Sequence, residues 1–327
     1  MDICHSFLKH FAYLFVLLEK IKMDFGKLRT VDGVDFTLPA EPSANTALLA
    51  ETARTRSHTP VLYIGPTGYN MRPWNGKWYP ADAKEKDFLK HYGRQFNTIE
   101  HNTTHYRIPD EATVKRWRED TPADFRFAPK IPQTISHSRD LGVEGPELAQ
   151  FCRNIRFLAD KLGCSFLQLP PYFEPRDLHT LIRFLEKWPE DMPLAVEVRH
   201  ASFFNHQPSS DRFFGILYDY DKTAVITDVA GRRDVCHLRL TNVTAMVRFV
   251  GNGLHPSDNS RVGEWTHVLQ RWMDKGLHQT YFFTHEPDNL LAPELAAVCY
   301  EKFSAAMPHV EMRGPTPFAQ VIQGSLF

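Results

Sequence analysis

The stretch that decides the fold is residues 194–200, which reads L-A-V-E-V-R-H and has the composition of a buried strand carrying two charged residues. Side chains alternate across a strand, so Glu197 and Arg199 face one side while the valines beside them face the other. A carboxylate and a guanidinium on an otherwise apolar strand carry a large desolvation cost unless they are satisfied. The stretch therefore predicts either a functional charged pair or a structural ion pair inside the fold.

Strand-like and helical patterns alternate on both sides of this stretch. The predicted strands are residues 61–69, 98–106, 125–131, 165–169, 194–199, 224–229, 235–240 and 280–285. Alternation of this kind implies parallel strands joined by right-handed crossovers. Eight units over about 250 residues predict an α/β fold of the (β/α)8 TIM-barrel type. A doubly wound open sheet is the alternative, but no G-x-G-x-x-G follows the first strand, so the dinucleotide fingerprint is missing.

One join in this pattern is too short. Only residues 230–234 connect the sixth and seventh predicted strands, whereas a parallel crossover needs about a dozen residues or more. Either the barrel is irregular between strands six and seven, or one of these two strands is wrongly assigned.

The sequence predicts one barrel domain over residues 61–310, preceded by an extension and lead-in at 1–60 and followed by a tail at 311–327. The apolar run at residues 11–18 is too short to span a bilayer and lacks the features of a signal peptide. We hypothesise that Met23 is the natural start of the protein. An amphipathic surface helix in residues 1–22 is the alternative.

The charge balance and the cysteines bound the partners and the compartment. With 38 Lys and Arg against 39 Asp and Glu, the net charge is −1, which disfavours nucleic acid and acidic membranes as partners. The five cysteines contain no C-x-x-C, which predicts unpaired thiols in a reducing cytoplasm. A small anionic or polar ligand is the expected partner class, and nucleic acid stays open as the alternative because this charge is compatible with a local basic patch.

Barrel enzymes carry their chemistry at the carboxyl ends of the strands. The polar residues at those ends are therefore the candidates, and the parity of the second strand places Glu100 and Asn102, rather than His101, on its inner face. The set comprises Glu100, Asn102, Lys130, Gln168, Glu197, Arg199, Asp228 and Arg239. This is more charge than packing requires, which indicates a site; the alternative is a polar layer whose charges satisfy one another.

The residue types suggest roles within this set. A lysine beside two arginines has a lowered pKa and suits a base or a Schiff-base amine, so Lys130 is the first catalytic candidate. Glu197, Glu100 and Asp228 are the other catalytic candidates, as carboxylates able to move protons. Arg199 and Arg239 offer forks for a phosphate or carboxylate. We expect the two glutamates to lie far apart around the rim, which disfavours a retaining glycosidase.

Three motifs outside this set give weaker signals. The H-N-T-T-H run places His101 and His105 on the face opposite Glu100, a poor arrangement for a metal site, and no metal is predicted. The glycines of residues 251–253 form either a phosphate loop or an ordinary turn. Trp74 belongs to an aromatic and basic run that either stacks a ligand or closes over the barrel mouth as a lid.

Several motifs resemble the YecE-like family, known as domain of unknown function 72. They are G-P-T-G-Y, W-N-G-K-W-Y-P, F-N-T-I-E-H-N-T-T-H-Y, F-R-F-A-P-K, Q-L-P-P-Y-F, A-V-E-V-R-H-A-S-F-F and T-H-E-P-D, in that order within residues 61–307. The resemblance implies a TIM-type barrel and supplies no reaction. It implies recurring polar positions at Glu100, Asn102, Tyr106, Lys130, Gln168, Glu197, Arg199 and Asp228, and it adds Tyr106 to the ligand-binding candidates. The segment M-V-R-F-V-G-N-G is similar to one branch of the family, and residues 1–22 have no counterpart in it.

Three functions remain open from the sequence. The first is an enzyme that acts by acid/base chemistry on a small phosphorylated or polyhydroxylated ligand at the strand ends. The second is a nucleic-acid-binding or metal-assisted phosphodiesterase barrel, and the third is a non-catalytic ligand-binding scaffold. The fold alone does not choose among them, and it names no cofactor.

Overall fold

Parallel strands alternating with helices make up the part of the chain that the computed structural model describes, residues 26–55 and 59–317. The predictions for residues 1–22 and for a start at Met23 lie outside the described residues. Within the described ranges, no helix combines the length and apolar character needed to cross a membrane.

Nine strands occur in these ranges, and every pairing between them is parallel. They are β1 (Val61–Pro66), β2 (Thr98–His101), β3 (Arg126–Pro129), β4 (Ser165–Gln168), β5 (Leu194–Glu197), β6 (Thr223–Asp228), β7 (Thr244–Val250), β8 (Gln279–His285) and β9 (Glu311–Met312). Seven of them form one sheet in the order β4-β5-β6-β7-β8-β1-β9, and β2 pairs with β3. The α/β class and the mainly parallel sheet are therefore as predicted.

Helices follow most of the strands. They are α1 (Ala44–Thr55), α2 (Phe88–Gln95), α3 (Thr103–Tyr106), α4 (Glu111–Glu119), α5 (Gln133–Ser136), α6 (Glu147–Ile155), α7 (Leu178–Lys187), α8 (Gln207–Asp219), α9 (Pro256–Lys275) and α10 (Ala292–Ala306). The longest of these, α9, begins with a proline at its first position and is capped by His255, whose ring accepts the backbone N–H of Ser257.

The seventh predicted strand is wrong. Residues 235–240 form no strand, and β7 lies later, at Thr244–Val250, so residues 229–243 are available for the crossover. The alternation of H-L-R-L imitates a strand, but a side chain satisfies its backbone. The Asn45 amide accepts the N–H of Leu240 at 2.9 Å and donates to the carbonyl of Leu238 at 2.7 Å. This finding removes the short join between strands six and seven.

The second predicted strand is too long. It ends at His101, and residues 103–106 form the single helical turn α3. The turn is favoured because the Thr104 hydroxyl lies between the carbonyls of His101, at 2.9 Å, and Lys130, at 2.6 Å. A side chain that bonds the backbone locally in this way competes with strand pairing.

The alternating side chains of the strands build an inner cluster that positions the site. Its buried members are Tyr63, Ala128, Cys164, Phe166, Ala195, Val225, Met246, Tyr281 and Phe283. Because the strand period is two, the residue two positions further along each strand faces the same way. The inner cluster therefore predicts which polar side chains meet at the carboxyl ends of the strands.

Candidate functional site

A polar network lies directly beyond the inner cluster, at the carboxyl ends of the strands. Seven members are Glu100, Lys130, Gln168, Glu197, Thr227, Arg248 and His285. Six of them stand two positions after an inner-cluster residue, as Arg248 does after Met246, and Glu100 stands two after the buried Thr98. Four of the seven, Glu100, Lys130, Gln168 and Glu197, are candidates from the sequence.

Arg248 is the centre of this network. Its Nε and Nη2 donate to the two oxygens of Glu100 at 2.9 and 3.0 Å. Its Nη1 donates to both oxygens of Glu197 at 3.1 and 3.0 Å. One guanidinium therefore bridges both glutamates, and the expectation that they lie far apart is wrong. Bidentate pairs of this kind are the strong form of charge-assisted hydrogen bond.

A second row of donors completes the coordination of Glu197. The Gln168 amide donates to it at 2.5 Å and the Thr227 hydroxyl at 2.9 Å. The Gln168 amide oxygen in turn accepts from Nζ of Lys130 at 2.8 Å. The lysine is therefore connected to Glu197 through a neutral amide, and it makes no ion pair with a carboxylate in the described part of the chain.

Glu100 has two further partners. The Asn102 amide donates to its Oε1 at 2.9 Å, so the pair that the parity of the second strand predicted does meet. Nε2 of His285 lies 2.9 Å from its other oxygen. Glu100 and Glu197 are thus fully engaged, and neither is an available general base in this arrangement.

The electrostatics of the network follow from its geometry. Burial alone would raise the pKa of Glu197, but the Arg248 and Arg199 charges and the hydrogen bonds outweigh it and lower that pKa to about 2. Burial would also raise the pKa of Glu100, but the Arg248 and His285 charges outweigh it. The pKa of Glu100 therefore lies well below its usual range. Both carboxylates are ionised at neutral pH.

Lys130 responds in the opposite direction. Burial and the adjacent Arg248 lower the pKa of its amine to about 8, although the two glutamates partly oppose this shift. Its ammonium also lies 5.8 Å from the centre of the Phe166 ring. The lysine is therefore the group in the network whose proton is easily exchanged near neutral pH.

Arg199 lies on the outer side of the network, and the His105 and His137 rings of a four-ring chain lie near it and Lys130. Nε of Arg199 lies 3.4 Å from Glu197, and the side chain is 17 % exposed against 2 % for the glutamate. The rings run in a chain, Tyr106, His105, His137 and Tyr172, with centroid separations of 5.4 and 5.8 Å between the first three. Tyr172 contacts the carbonyl of His137 at 3.4 Å, and Tyr106 is exposed as a ligand-binding candidate must be.

The structure removes Asp228 from this group. Thr227 takes the inward position of β6, so Asp228 faces the opposite side and packs against α9. It contacts Arg261 at 2.9 Å, accepts from Nε1 of Trp265 at 2.8 Å, and pairs with Arg233. The sequence selects this aspartate as the charged residue at the end of its strand, but alternation within β6 puts it on the face opposite Val225 and Thr227.

Two ligand-binding candidates also lie elsewhere. Arg239 is in the segment that forms no strand, and its guanidinium lies 5.7 Å from the Phe214 ring centre, so it is no partner for Arg199. Trp74 is buried, and its Nε1 donates to the carbonyl of Leu290 at 3.0 Å. Trp74 therefore packs as part of the fold, and its buried ring is unavailable as a stacking platform.

The backbone N–H donors of the glycine-rich loop at residues 251–253 are bound by the protein's own side chains. Glu286 accepts the backbone N–H of Gly253 at 2.7 Å, and Asp258 accepts that of Asn252 at 2.8 Å. Since these donors are bound to the protein's own carboxylates, the structure favours the turn interpretation over a phosphate loop.

The histidine pair of H-N-T-T-H is not brought together as a ligand set. His101 is buried against Trp117, with ring centres 4.2 Å apart, whereas Nδ1 of His105 lies 3.1 Å from the carbonyl of Ile131. Across residues 26–55 and 59–317, no group of three or more His, Cys, Asp and Glu side chains is arranged to hold a metal ion.

Sequence reasoning missed Arg248, Thr227 and His285. Arg248 lies in M-V-R-F-V, a β-branched run with one arginine set into it, which is the same signal that selected Glu197. Residues 235–240 imitate the seventh strand, and a strand assigned there leaves Arg248 outside the predicted sheet. Thr227 and His285 carry no charge pattern of their own, and only the correct strand parity identifies them.

Comparison with known proteins agrees with this architecture. A family model described as "Protein of unknown function DUF72" matches residues 63–320. The chain belongs to this family. The protein named "UPF0759 protein YecE" from Escherichia coli K12 is 34 % identical over 289 residues, which cover 82 % of this chain and all of that protein. The resemblance predicted from the motifs is confirmed.

Solved structures of the DUF72 family share the fold. One from Enterococcus faecalis superposes with a TM-score of 0.61 at 17 % identity, covering 75 % of this chain and 96 % of that chain. One from Thermotoga maritima gives a TM-score of 0.57 at 23 % identity, covering 76 % and 99 %. At these identities the likeness bears on the fold alone.

Proposed function

We propose that this DUF72 protein is an enzyme that binds a small anionic ligand, phosphorylated or carboxylated, beside Lys130 and Arg199. Lys130 moves a proton of the ligand, and Arg199 holds its anionic group. One observation carries the proposal: Arg248 engages both glutamates, so Lys130 faces the neutral amide of Gln168. An amine in that position is a poor structural ion-pair partner and a suitable proton acceptor.

The charges of the site support an anionic ligand. Arg248, Arg199 and Lys130 are three cationic side chains gathered around the two carboxylates Glu100 and Glu197. Protonated Lys130 leaves the group with an excess of positive charge in surroundings of low dielectric, where that charge attracts an anion strongly. Arg199, the more exposed cation, is placed to meet it first, and its planar fork matches a carboxylate or phosphate.

We further propose that the first eight strands close into a (β/α)8 barrel around this network. Lys130 forms a parallel bridge with Phe166, which connects β3 to β4. Between β1 and β2, the Asn97 amide makes the connection. It accepts the N–H of Ile64 at 2.8 Å and donates to the carbonyl of Leu62 at 3.1 Å. The Arg248–Glu100 pair supports the closure from inside, since it joins β7 to β2.

A reducing cytoplasm suits the thiols. The cysteines of the described chain, at positions 152, 164, 236 and 299, are unpaired and buried. A protein with this pattern gains no stability from an oxidising compartment.

Inorganic phosphate and a panel of small carboxylates test the binding half of the proposal. We expect them to raise the melting temperature of the protein, since a ligand at a hundred times its Kd stabilises by about 2.7 kcal/mol. Arg199→Gln and Lys130→Met abolish this rise. Arg239→Gln is the matched control: it removes an arginine that the structure places away from the site, and it retains the rise.

Turnover tests the catalytic half. Ligands that bind are incubated with the protein, and their consumption is followed by NMR, with Lys130→Met as the inactive reference. Binding that depends on Arg199, without any turnover, would favour the scaffold function instead. An equal response in the Arg199 and Arg239 variants would refute the site.

A further inference from the structure

The structure assigns Lys130 a covalent role: we infer that the substrate is a small carbonyl compound bearing an anionic group, and that Nζ of Lys130 forms an imine with its carbonyl carbon. The inference rests on the proposed anion site and names the substrate class that the site takes. It goes beyond acid/base chemistry because the lysine nitrogen becomes bonded to the substrate.

The position of the amine is the first argument. Lys130 directly follows β3, its side chain is held over the Phe166 ring, and Nζ points at the amide oxygen of Gln168. Gln168 is itself fixed by its 2.5 Å hydrogen bond to Glu197. A nucleophile held this firmly has little conformational entropy left to lose when it attacks.

The amide partner suits every stage of imine formation. A carboxylate in its place would hold the lysine as an ammonium ion, which has no lone pair for attack. The Gln168 oxygen accepts a hydrogen bond equally from the amine and from the N–H of a protonated imine. The charge of that iminium is then balanced by Glu197 and Glu100 behind the amide, without direct contact with the nitrogen.

The protonation state supports the same role. With a pKa of about 8 for its amine, roughly one Lys130 in ten is neutral at pH 7, against roughly one in 2,500 for an ordinary lysine. The neutral form is the nucleophile, so the site raises its population more than a hundredfold, on the order of magnitude that this pKa implies.

The proton transfers balance with groups present at the site. Nζ attacks the carbonyl carbon, a C–N bond forms, and the carbonyl π electrons move to oxygen. His105 is half-buried and neutral, since burial and Lys130 lower its pKa to about 4, and its Nδ1 donates to the carbonyl of Ile131. Its Nε2 therefore has a lone pair to take the proton from nitrogen and return it to oxygen. The same His105 nitrogen then passes a second proton, taken from solvent, to the hydroxyl oxygen. The C–O bond breaks as one water leaves, the lone pair on nitrogen completes the C=N bond of the protonated imine, and no oxidant or reductant is needed.

Reductive trapping tests the inference on the whole protein. Pyruvate and glyoxylate are the anionic probes, acetone is the neutral one, and sodium cyanoborohydride fixes any imine as a stable amine for peptide mass mapping. We expect one adduct per chain, on Lys130, formed at least about tenfold faster than on other lysines because of its neutral fraction. Acetone labels Lys130 more slowly than pyruvate, and Arg199→Gln removes this difference.

Variants and pH make the result decisive. Lys130→Arg loses the adduct, whereas Lys161→Arg, which alters a second buried lysine far along the chain, retains it. The labelling rate of the unaltered protein follows a titration midpoint near 8, which needs no variant to fold. Labelling spread evenly over surface lysines overturns the inference. If pyruvate stabilises the protein but leaves Lys130 unlabelled, the imine is refuted and the anion site stands; if it does neither, both fail.

Discussion

Two buried charge networks lie on opposite sides of the sheet, and they differ in which charged groups they leave able to meet a ligand. On the inner side, Arg248 stands between two carboxylates, with Lys130 and the partly exposed Arg199 next to them. On the outer side, Asp228 stands between Arg233 and Arg261 and is sealed by α9.

The outer network is closed off inside the fold. The Asp228 carboxylate takes two cations and the Trp265 N–H, and Arg261 also contacts Asp258 at 3.2 Å. The guanidinium of Arg261 lies 4.1 Å from the Phe249 ring centre, so apolar groups close it off. Its charges serve to join α9 to β6. In the inner network one arginine pairs with two carboxylates, and the Lys130 amine faces the Gln168 amide instead of a carboxylate. We therefore assign function to the inner network and structure to the outer one.

Arg248→Met gives the largest expected effect on stability. Without the guanidinium, Glu100 and Glu197 face one another as buried carboxylates, and breaking a buried pair in this way costs about 3–5 kcal/mol. Urea unfolding at pH 7 measures the loss. The triple variant that adds Glu100→Gln and Glu197→Gln removes the unpaired charge and should recover most of the stability. Equal instability in the single and triple variants would show that lost packing, rather than unpaired charge, is responsible.

Asp228→Asn tests the claim that the outer network is structural. Arg261 retains Asp258 and Arg233 reaches solvent, so we expect a smaller loss, about 2–3 kcal/mol for a buried charged hydrogen-bond partner. The affinity for phosphate or pyruvate, measured by calorimetry, stays unchanged. A variant that remains folded but no longer binds the anion would contradict the division between the two networks.

Acid should weaken the inner network in a defined range of pH. The folded pKa of Glu197, about 2, is lower than its ordinary value of 4.5. A carboxylate whose pKa is lowered by folding stabilises the folded state at every pH above its pKa in the unfolded chain. This contribution is lost as the pH falls from about 4.5 towards 2. Glu197→Gln removes the titrating group, so its urea midpoint depends less steeply on pH in that range. Glu119→Gln, at an exposed glutamate, is the control and keeps the slope of the unaltered protein.

The two networks also show how far the sequence can be interpreted. The mainly parallel α/β fold follows from alternating apolar patterns, and the inward Glu100, Lys130, Gln168 and Glu197 follow from their places at the ends of four predicted strands. Asp228 and Arg239 do not, because alternation puts Asp228 on the face of β6 opposite Thr227, and parity has no meaning at Arg239, where no strand forms. The backbone of residues 238–240 is satisfied by the Asn45 side chain, nearly two hundred positions away, and no local pattern reveals such a partner.

The smallest expected effects compare one neutral donor from each network. Thr227→Val removes the hydroxyl that donates to Glu197, and Trp265→Phe removes the N–H that donates to Asp228. Each deletion costs about 1–2 kcal/mol as a lost hydrogen bond to a buried charge, and the tryptophan change adds the cost of a smaller ring in a packed core.

Anion affinity separates the two variants where stability does not. In Thr227→Val the charge of Glu197 is less well compensated, so it opposes an anion at Arg199 and weakens binding by up to about fivefold, the factor that one hydrogen bond of about 1 kcal/mol provides. In Trp265→Phe the uncompensated charge lies on the far side of the sheet, and the dissociation constant for phosphate, measured by calorimetry, does not change. Equal weakening in both would mean that the networks are coupled through β6, on which Thr227 and Asp228 are neighbours, and that the outer network contributes to the site as well.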